Sequence, residues 1–360
     1  MPQNDLVDDQ EGRVTALAAA RQAVPAPEEP ILELKDVKIH FAVTAGVFKR
    51  VVGHVRAVDG IDLQVRRGEV LGLVGESGCG KTTLGKGILQ LVNITNGSVT
   101  YRGNGETVDL AELDSKALTP FRKRLQIVFQ DPYSSLNPAF TIFGSLEDPL
   151  KKYGVTTRAE RRRVIGDLLE AVNMSRDAMD RYPHEFSGGQ RQRIGIARAL
   201  CVEPELIVCD EAVSALDVSI QAQVLQLLME LKRDKNLTYI FITHDLSVTE
   251  YLCDRIAVMY LGKIVELCDA EDLYANALHP YTEALLSAIP VADLDKQTER
   301  IVLEGDVPSP VDPPSGCRFH PRCRHARDIC RQAEPPLKRY EIDGRDHYAA
   351  CHLIEREAAD

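Results

Sequence analysis

A glycine-rich segment near residue 75 has the residue types needed to bind a nucleotide phosphate. Residues 75–82 read GESGCGKT, a loop that ends in a lysine and a threonine. Glycines let the backbone wrap closely around phosphate oxygens, and amide groups at a helix start point at the anion. Lys81 would contact the β and γ phosphates, and the Thr82 hydroxyl would ligate Mg²⁺. This segment predicts a site for a nucleoside triphosphate with Mg²⁺.

A second segment about a hundred residues later could bind an anion in the same way. Residues 186–193 read FSGGQRQR, and a helix is expected to follow through RQRIGIARAL. Ser187 is a good N-cap for that helix, and Gly188 and Gly189 leave the first amide groups bare. One chain cannot easily use both phosphate-binding ends on the same nucleotide.

Two adjacent acids and a histidine follow buried strands farther along the chain. Asp210 and Glu211 end the segment LIVCDE, and His244 follows the next apolar strand. Asp210 could reach a metal, directly or through water, while Glu211 could orient and polarise an attacking water. The His244 imidazole could hydrogen-bond the γ-phosphate or the transition-state oxygens. Taken singly, acids at a strand end are also common as turn residues, and such a histidine is commonly structural.

The elements that must position these residues read as an α/β fold. Alternation in ILELKDVKIHF at 31–41 predicts a strand, and the apolar run Val70–Val74 predicts a buried strand that enters the glycine loop. LIVC at 206–209 and YIFIT at 239–243 predict two further buried strands. The helix expected between them has one apolar face, formed by Ile220, Val224, Leu227, Leu228 and Leu231. Strands alternating with helices indicate a mainly parallel sheet covered on both sides.

Length and composition limit the possible classes of function. The 360 residues can hold one large α/β domain and a smaller appendage, but not two nucleotide-binding domains of this kind. A formal net charge of −11 gives no overall attraction to nucleic acid, so no nucleic-acid partner is expected. No apolar run approaches the roughly 18 residues of a membrane span, and the N-terminus lacks a signal-peptide pattern. A chain that stays in the cytosol is expected.

Changes in composition along the chain suggest domain boundaries. Residues 1–30 are rich in Asp, Glu, Gln, Ala and Pro without an apolar period and are expected to form a disordered tail. Residues 31–275 are expected to form the α/β domain, with a helical subdomain at about 131–200. After that the periodicity weakens, prolines accumulate and four cysteines follow, so 276–360 are expected to form a small C-terminal domain.

Six segments resemble the ATP-binding cassette (ABC) ATPases in order and spacing over about 170 residues. They are GESGCGKT, Gln130 in VFQDP, FSGGQRQR, LIVCDE, SALD at 214–217 and His244 in FITHD. The resemblance implies a P-loop NTPase fold of the ABC type, α/β with a mainly parallel core sheet, an antiparallel β subdomain and a helical subdomain. It also implies two subunits facing head to tail, so that each closes the other's ATP site.

The resemblance assigns roles residue by residue, with ATP and Mg²⁺ as cofactors. It implies catalytic roles for Glu211, His244 and Gln130, and Mg²⁺ ligation by Thr82, Gln130 and Asp210. It implies nucleotide contacts in this chain or across the dimer from Phe41, Gly75, Glu76, Ser77, Gly78, Cys79, Gly80, Lys81, Thr82, Thr83, Ser187, Gly188, Gly189, Gln190 and Asp217. Phe41 resembles the aromatic residue that stacks on adenine, and a core strand residue is the alternative for it.

Longer segments resemble one subfamily, the ATPase subunits of bacterial oligopeptide and dipeptide permeases. They are FQDPYSSLNP at 129–138, DVSIQAQV at 217–224, VMYLGKIVE at 258–266, HPYTEALLSAIP at 279–290 and the tail from PSPVDPPSGC to Cys351. The resemblance implies a second ATPase subunit, two membrane-spanning permeases and, indirectly, an extracytoplasmic solute-binding protein. It places the chain on the cytoplasmic face of the bacterial inner membrane, with residues 131–150 as the docking surface.

Four cysteines near the end of the chain suggest a metal centre. Cys317, Cys323, Cys330 and Cys351 are spaced unlike zinc ribbons or ferredoxins. Four thiolates suit a [4Fe–4S] cluster, which members of the resembled subfamily carry, and zinc is the alternative. Free thiols in a small core remain a third interpretation. Five arginines in this segment could offset the charge of a thiolate cluster, namely Arg318, Arg322, Arg324, Arg327 and Arg331.

Proteins of other functions that contain an ABC ATPase domain would require different sequence features. DNA-repair and chromosome-structural ATPases need a long heptad insertion, and the 57 positions from Gln130 to Ser187 cannot hold one. Translation factors of this superfamily usually carry two cassettes in one chain. An iron–sulfur redox regulator would hydrolyse ATP only incidentally. The sequence does not distinguish dipeptides, longer peptides, nickel chelates or other solutes as cargo.

Overall fold

The structure is a computed structural model that describes residues 29–46, 48–131, 136–289 and 300–354. The tail expected at residues 1–30 lies outside these ranges except for its last two residues. Part of the expected docking segment, residues 132–135, also lies outside them. Among the described residues, no helix has both the length and the apolar character needed to cross a membrane.

Twelve strands in the described residues form two sheets. The strands are β1 Leu32–Ala45, β2 Arg50–Val65, β3 Val70–Val74, β4 Asn96–Gly103, β5 Glu106–Asp109, β6 Leu125–Val128, β7 Leu206–Asp210, β8 Thr238–Ile242, β9 Arg255–Tyr260, β10 Lys263–Asp269, β11 Lys338–Ile342 and β12 Arg345–Ala349. The order β2-β1-β4-β5 forms a four-stranded antiparallel sheet. The order β11-β12-β10-β9-β3-β8-β7-β6 forms the larger sheet.

The centre of the larger sheet is parallel, which confirms the prediction from strand–helix alternation. β6, β7, β8, β3 and β9 pair in parallel, with Leu71 opposite Ile240 and Val208 opposite Ile240 on its other side. Every residue of β3, β7 and β8 is buried, because helices or the second sheet cover both faces. The carboxyl ends of these strands meet at one edge, where ligands of open α/β sheets bind.

Ten α-helices lie in the described residues. They are α1 Lys81–Ile88, α2 Thr119–Arg124, α3 Ile142–Lys152, α4 Arg158–Ala171, α5 Gly188–Leu200, α6 Val218–Lys235, α7 Leu246–Leu252, α8 Ala270–Ala275, α9 Pro280–Ser287 and α10 Asp328–Gln332. Helix α6 buries Val224, Leu227, Leu228 and Leu231, the expected apolar face apart from Ile220, which is half-buried.

The stretch where a helical subdomain is expected contains α3, α4 and α5 and short 3₁₀ turns. From residue 136 to residue 200 the described chain forms no strand. Each helix begins where a hydroxyl side chain caps it: Thr141 accepts from Gly144 N, Thr157 from Glu160 N and Ser187 from Gln190 N. These caps satisfy amide groups that have no partner within the helix.

The C-terminal region joins the main sheet through its last hairpin. β12 pairs antiparallel with β10, with Glu266 opposite Ala349 and Leu267 opposite Tyr348. β11 then pairs with β12 and forms the edge. Aromatic contacts add to this attachment, because Phe319 packs edge-on against Tyr260 of β9 at 5.3 Å between ring centroids. The sequence pattern did not predict that this region would extend the larger sheet.

Candidate nucleotide-binding site

The phosphate loop joins β3 to α1, and at two of its positions a backbone carbonyl oxygen lies so close that only glycine fits. Gly75 has φ +145, and a Cβ there would lie 2.2 Å from the Met259 carbonyl oxygen. Gly80 has φ +108, and a Cβ there would lie 2.1 Å from the Ala57 carbonyl oxygen. Both positions exclude a side chain, because such distances are shorter than any real Cβ contact and both φ values are positive.

Lys81 lies folded into the loop that it terminates. Its Nζ donates to the carbonyl oxygens of Gly75 at 2.7 Å and of Glu76 at 3.0 Å, and it is 5% exposed. The ammonium group is therefore held at the centre of the loop by neutral acceptors, without a carboxylate partner at that atom among the described contacts. A phosphate entering the loop would find this charge already in position.

The polar side chains at the carboxyl ends of β6, β7 and β8 come together around this loop. Thr82 Oγ1 donates to Asp210 Oδ1 at 2.6 Å, which links the loop to the end of β7. Gln130 Nε2 donates to Glu211 Oε2 at 2.9 Å, and His244 Nδ1 lies 3.4 Å from the same oxygen. The structure thus gathers the five residues expected to act on Mg²⁺ and water.

Glu211 adopts an unusual backbone conformation that directs it into the site. Its φ is +48, in the left-handed region that a non-glycine residue rarely occupies. Its amide donates to the Ile242 carbonyl oxygen at 3.0 Å, which ties the turn after β7 to β8. Strain of this kind, of order 1–3 kcal/mol, is typical of functional positions.

A pocket of about 450 Å³ opens above the phosphate loop. Nine of the expected residues line it: Phe41, Ser77, Gly78, Gly80, Lys81, Thr82, Thr83, Gln130 and Glu211. Phe41 is 43% exposed, so it is a surface residue of this pocket rather than the core strand residue that was the alternative.

Several pocket residues were missed by the sequence analysis. They are Val55, Arg56, Ala57, Leu261, Gly262 and Pro310. Pro310 belongs to the proline-rich segment after residue 300, and its carbonyl oxygen accepts from Arg56 N at 2.9 Å. No local motif marks these positions, because they reach the pocket through strand pairing and through the fold-back of the C-terminal region.

The second glycine-rich segment lies elsewhere and forms a complete capping box. Ser187 Oγ accepts from Gln190 N at 3.3 Å, and Gln190 Oε1 accepts from Ser187 N at 3.0 Å. A Cβ at Gly189 would lie 2.3 Å from Ile220 Cγ2, so this glycine lets α5 pack closely against α6. Asp217 is the N-cap residue of α6. Within the described chain, the residues that line the pocket include neither Asp217 nor any of residues 187–190.

The four C-terminal cysteines lie near one another as free thiols. Burial raises the pKa of Cys317 and of Cys351 to about 11, and charge on the neighbouring thiols adds to both shifts. Cys317 N also donates to the Cys330 carbonyl oxygen at 2.8 Å. In the described residues, however, no group of three or more His, Cys, Asp or Glu side chains has an arrangement that could hold a metal ion.

Two arginines of this segment, Arg318 and Arg322, contact the α/β core. Arg318 pairs with Asp59 of β2 and also donates to the Leu261 carbonyl oxygen. Arg322 donates to both carboxylate oxygens of Glu76 in the phosphate loop. The suggestion that these two arginines offset thiolate charge is therefore not supported by their contacts, since each is paired with a carboxylate.

Comparisons with known proteins agree with the motifs. The model of the ABC transporter family matches residues 58–214, and the model of the oligopeptide/dipeptide transporter C-terminal region matches residues 265–330. Among solved structures, a dimeric ATP-binding cassette, MJ0796, in a post-hydrolysis state bound to ADP and Pi has a TM-score of 0.57 at 28% identity. The match covers 66% of this chain and 98% of MJ0796.

Curated relatives match over most of the chain. The oligopeptide transport ATP-binding protein AppF of Bacillus subtilis (strain 168) is 50% identical over 331 residues, 91% of this chain and 98% of AppF. The putative oligopeptide transport ATP-binding protein YkfD of the same organism is 51% identical over 327 residues, 90% of this chain and 95% of YkfD. The chain therefore belongs to the ATP-binding proteins of the ABC transporter family, and it carries the C-terminal region of oligopeptide and dipeptide transporters.

Proposed function

We propose that this protein is the ATP-hydrolysing subunit of a bacterial ABC importer for oligopeptides or dipeptides. The observation that carries the proposal is the joint match of both family regions and of peptide-transport relatives over nine-tenths of the chain. It is supported by a site in which Thr82 contacts Asp210 and Gln130 contacts Glu211. The subunit would act at the cytoplasmic face of the cell membrane, bound to its partners.

In this proposal, ATP binds above the phosphate loop with its base on Phe41. Lys81 would exchange its two carbonyl contacts for phosphate oxygens, and the amide groups at the start of α1 would complete the cradle. Thr82, Asp210 and Gln130 would hold Mg²⁺, which supplies charge neutralisation at the phosphates. Glu211 would orient the attacking water, and His244, beside the same carboxylate, would stabilise charge on the γ-phosphate.

A second ATPase subunit would complete the site. Because the capped start of α5 lies outside the pocket of its own chain, residues 187–190 would contact the nucleotide of the facing subunit, with Asp217 communicating between the two sites. Closure with ATP and opening after hydrolysis would then move two permease subunits. Residues 131–150 after Gln130 would dock on the permeases, and a solute-binding protein outside the membrane would deliver the peptide.

We also propose that Cys317, Cys323, Cys330 and Cys351 bind a metal centre, a [4Fe–4S] cluster ahead of zinc. Support comes from the mutual proximity of four thiols in one small region and from soft all-thiolate donor chemistry. Binding would release protons from these thiols and would require them to draw together from their present positions. Protein purified without oxygen should contain about four irons per chain and absorb near 400 nm, and zinc instead of iron would contradict the cluster.

Reconstitution tests the transport function. The protein, a second ATPase and two permeases of the same transporter would be inserted into proteoliposomes with the solute-binding protein and a labelled peptide. ATP-dependent accumulation of peptide is expected, and none with Glu211→Gln. A nickel chelate offered in parallel distinguishes the alternative cargo. Uptake of the chelate without peptide uptake would reject the peptide assignment while leaving the ATPase assignment in place.

A further inference from the structure

Glu76 is the acidic member of the phosphate loop, and two distant parts of the C-terminal region hold it. Its carboxylate accepts two hydrogen bonds from Arg322, and its backbone amide donates to the Tyr281 hydroxyl. These partners lie 246 and 205 residues away in sequence. No motif in the loop itself accounts for either contact.

The ion pair between Glu76 and Arg322 has the geometry of a strong interaction. Arg322 Nη1 lies 2.6 Å from Glu76 Oε2, and Nη2 lies 3.0 Å from Oε1. The Arg322 side chain is 7% exposed and the Glu76 side chain 29%. A bidentate, partly desolvated pair of this kind fixes orientation as well as charge. The arginine also lies beside the Tyr260 ring, with Cζ 6.0 Å from the ring centroid.

Tyr281 approaches the loop from the first turn of α9. Its hydroxyl accepts from Glu76 N at 2.8 Å, and the side chain is fully buried against Tyr260 and Phe319. His279 caps the same turn, with Nδ1 accepting from Tyr281 N at 3.1 Å. The hydroxyl is therefore held in place by a fixed helix start and an aromatic cluster.

A carboxylate in an anion-binding loop is electrically unfavourable for a triphosphate ligand. Coulomb repulsion between Glu76 and ATP would weaken binding unless a cation cancels the acidic charge. Lys81 cannot serve this purpose without cost, because its ammonium group is the charge that the phosphates need. Arg322 supplies a separate cation and holds both carboxylate oxygens, which leaves Lys81 for the nucleotide.

We propose that Arg322 and Tyr281 are positioning residues of the nucleotide site, which set ATP affinity by fixing the phosphate loop at Glu76 and cancelling its charge. Arg322 ends the 3₁₀ turn His320–Arg322, directly before Cys323. The turn that directly precedes Cys323 therefore contributes a contact to the phosphate loop. This inference requires only ATP binding and does not depend on which solute is transported.

A suppressor experiment separates charge compensation from simple packing. In the full-length protein, Arg322→Gln should raise the Kd for a fluorescent ATP analogue and the KM for ATP about tenfold, while kcat stays within twofold. The double variant Glu76→Gln/Arg322→Gln should recover most of the lost affinity, because the unpaired carboxylate is gone. The single variant Glu76→Gln completes the double-mutant cycle. A double variant as weak as Arg322→Gln would overturn the role in charge.

Two further variants keep the test decisive if Arg322→Gln folds poorly. Tyr281→Phe removes only the hydroxyl and should raise the KM for ATP about threefold with kcat held; an unchanged KM would overturn the role of Tyr281. Arg339→Gln is the matched control, because Arg339 lies on β11, is 61% exposed and pairs with Asp346 rather than with the loop. Arg339→Gln should leave both constants unchanged, and an equal effect of Arg339→Gln and Arg322→Gln would contradict the proposal.

Discussion

Two helices of this molecule begin with glycine-rich turns that could each hold an anion, yet their surroundings differ. Helix α1 starts inside a pocket, with Lys81 folded into the loop and Thr82 bonded to Asp210. Helix α5 starts at an exposed turn whose Ser187 and Gln190 cap each other, and none of its first residues lines that pocket in the described chain. The start of α1 is thus enclosed in a pocket of its own chain, whereas the start of α5 lies outside that pocket.

The difference suggests a division of labour that fits the proposed head-to-tail dimer. A site finished within one chain can bind ATP alone, but hydrolysis would await the capped helix of the facing subunit. Variants at the two helix starts should therefore separate binding from hydrolysis. Equal effects of variants at the two helix starts on ATP binding would contradict this division.

The largest expected effect is at Glu211. Glu211→Gln should lower kcat for ATP hydrolysis about 10³-fold, because the amide cannot polarise water, while the Kd for ATP stays within about threefold. The steady-state rate of phosphate release and nucleotide titration measure the two quantities. Glu341→Gln, an exposed acid on β11, is the matched control and should hydrolyse ATP normally. Substantial hydrolysis by Glu211→Gln would assign the water-activating role to another residue.

Disruption of the second helix start should block hydrolysis without blocking ATP binding. Ser187→Arg is expected to lower hydrolysis by the assembled transporter about 100-fold, because the bulky cation prevents closure over the facing nucleotide. The variant also loses its N-cap, which costs about 1 kcal/mol of stability. Thr157→Arg controls for both changes, since Thr157 is an exposed cap of α4. Loss of ATP binding by isolated Ser187→Arg would mean that α5 belongs to its own chain's site.

Acid should lower the stability of the fold through His279, which caps the turn that brings Tyr281 to the phosphate loop. Burial lowers the pKa of His279 to about 4, from 6.5 in an unfolded chain, although Glu266 acts in the opposite direction. Because the folded form resists protonation, the stability that neutral His279 supports is complete above pH 6.5. The free energy of unfolding then falls by about 3 kcal/mol as pH decreases from 6.5 toward 4.

A substitution can isolate this contribution. His279→Asn keeps an acceptor for Tyr281 N but cannot take up a proton, so its melting temperature should fall less between pH 7.5 and pH 5 than that of the wild type. Thermal unfolding followed by circular dichroism checks this. His184→Asn, at an exposed position, should melt like the wild type at both pH values. Equal losses for His279→Asn and the wild type would exclude His279 as the source.

The smallest expected effect concerns the base end of the pocket. Phe41→Ala should raise the Kd for ATP about tenfold, because base–aromatic stacking contributes about 1–3 kcal/mol. Phe41→Tyr keeps the ring and should bind normally. Phe48→Ala tests whether any exposed phenylalanine of the β1–β2 hairpin matters, since Phe48 is 85% exposed and does not line the pocket. Unchanged affinity of Phe41→Ala would remove Phe41 from the site.

Local chemistry explains which features could be predicted. Patterns only a few residues long predict the strands Val70–Val74 and Leu206–Asp210, the cap at Ser187 and the glycine loop. The structure has each of them. The helical interval before α5 could also be anticipated from periodicity. These elements depend on short-range sterics, burial and capping, which adjacent residues specify.

Contacts between distant segments could not be predicted in the same way. Such contacts join parts of the chain that are far apart in sequence. They include Pro310 at the pocket wall, the pairing of β12 with β10, and the ion pairs of Arg318 and Arg322. Charge counting suggested that Arg318 and Arg322 could offset the charge of a thiolate cluster. Their actual partners, Asp59 and Glu76, depend on where the C-terminal region folds back.

The amino-acid sequence alone therefore determined the residue types of the phosphate loop and the two glycine-rich helix starts, because each depends on a few contiguous residues. It also indicated the ABC-type α/β fold, because six short segments resemble that family in order and spacing. Only the tertiary structure decided that one helix start is enclosed and the other is open. It also decided that Tyr281 and Arg322 reach the loop at Glu76. The physical reason is that long-range partners are selected by sheet registration and aromatic packing, which no local spacing encodes.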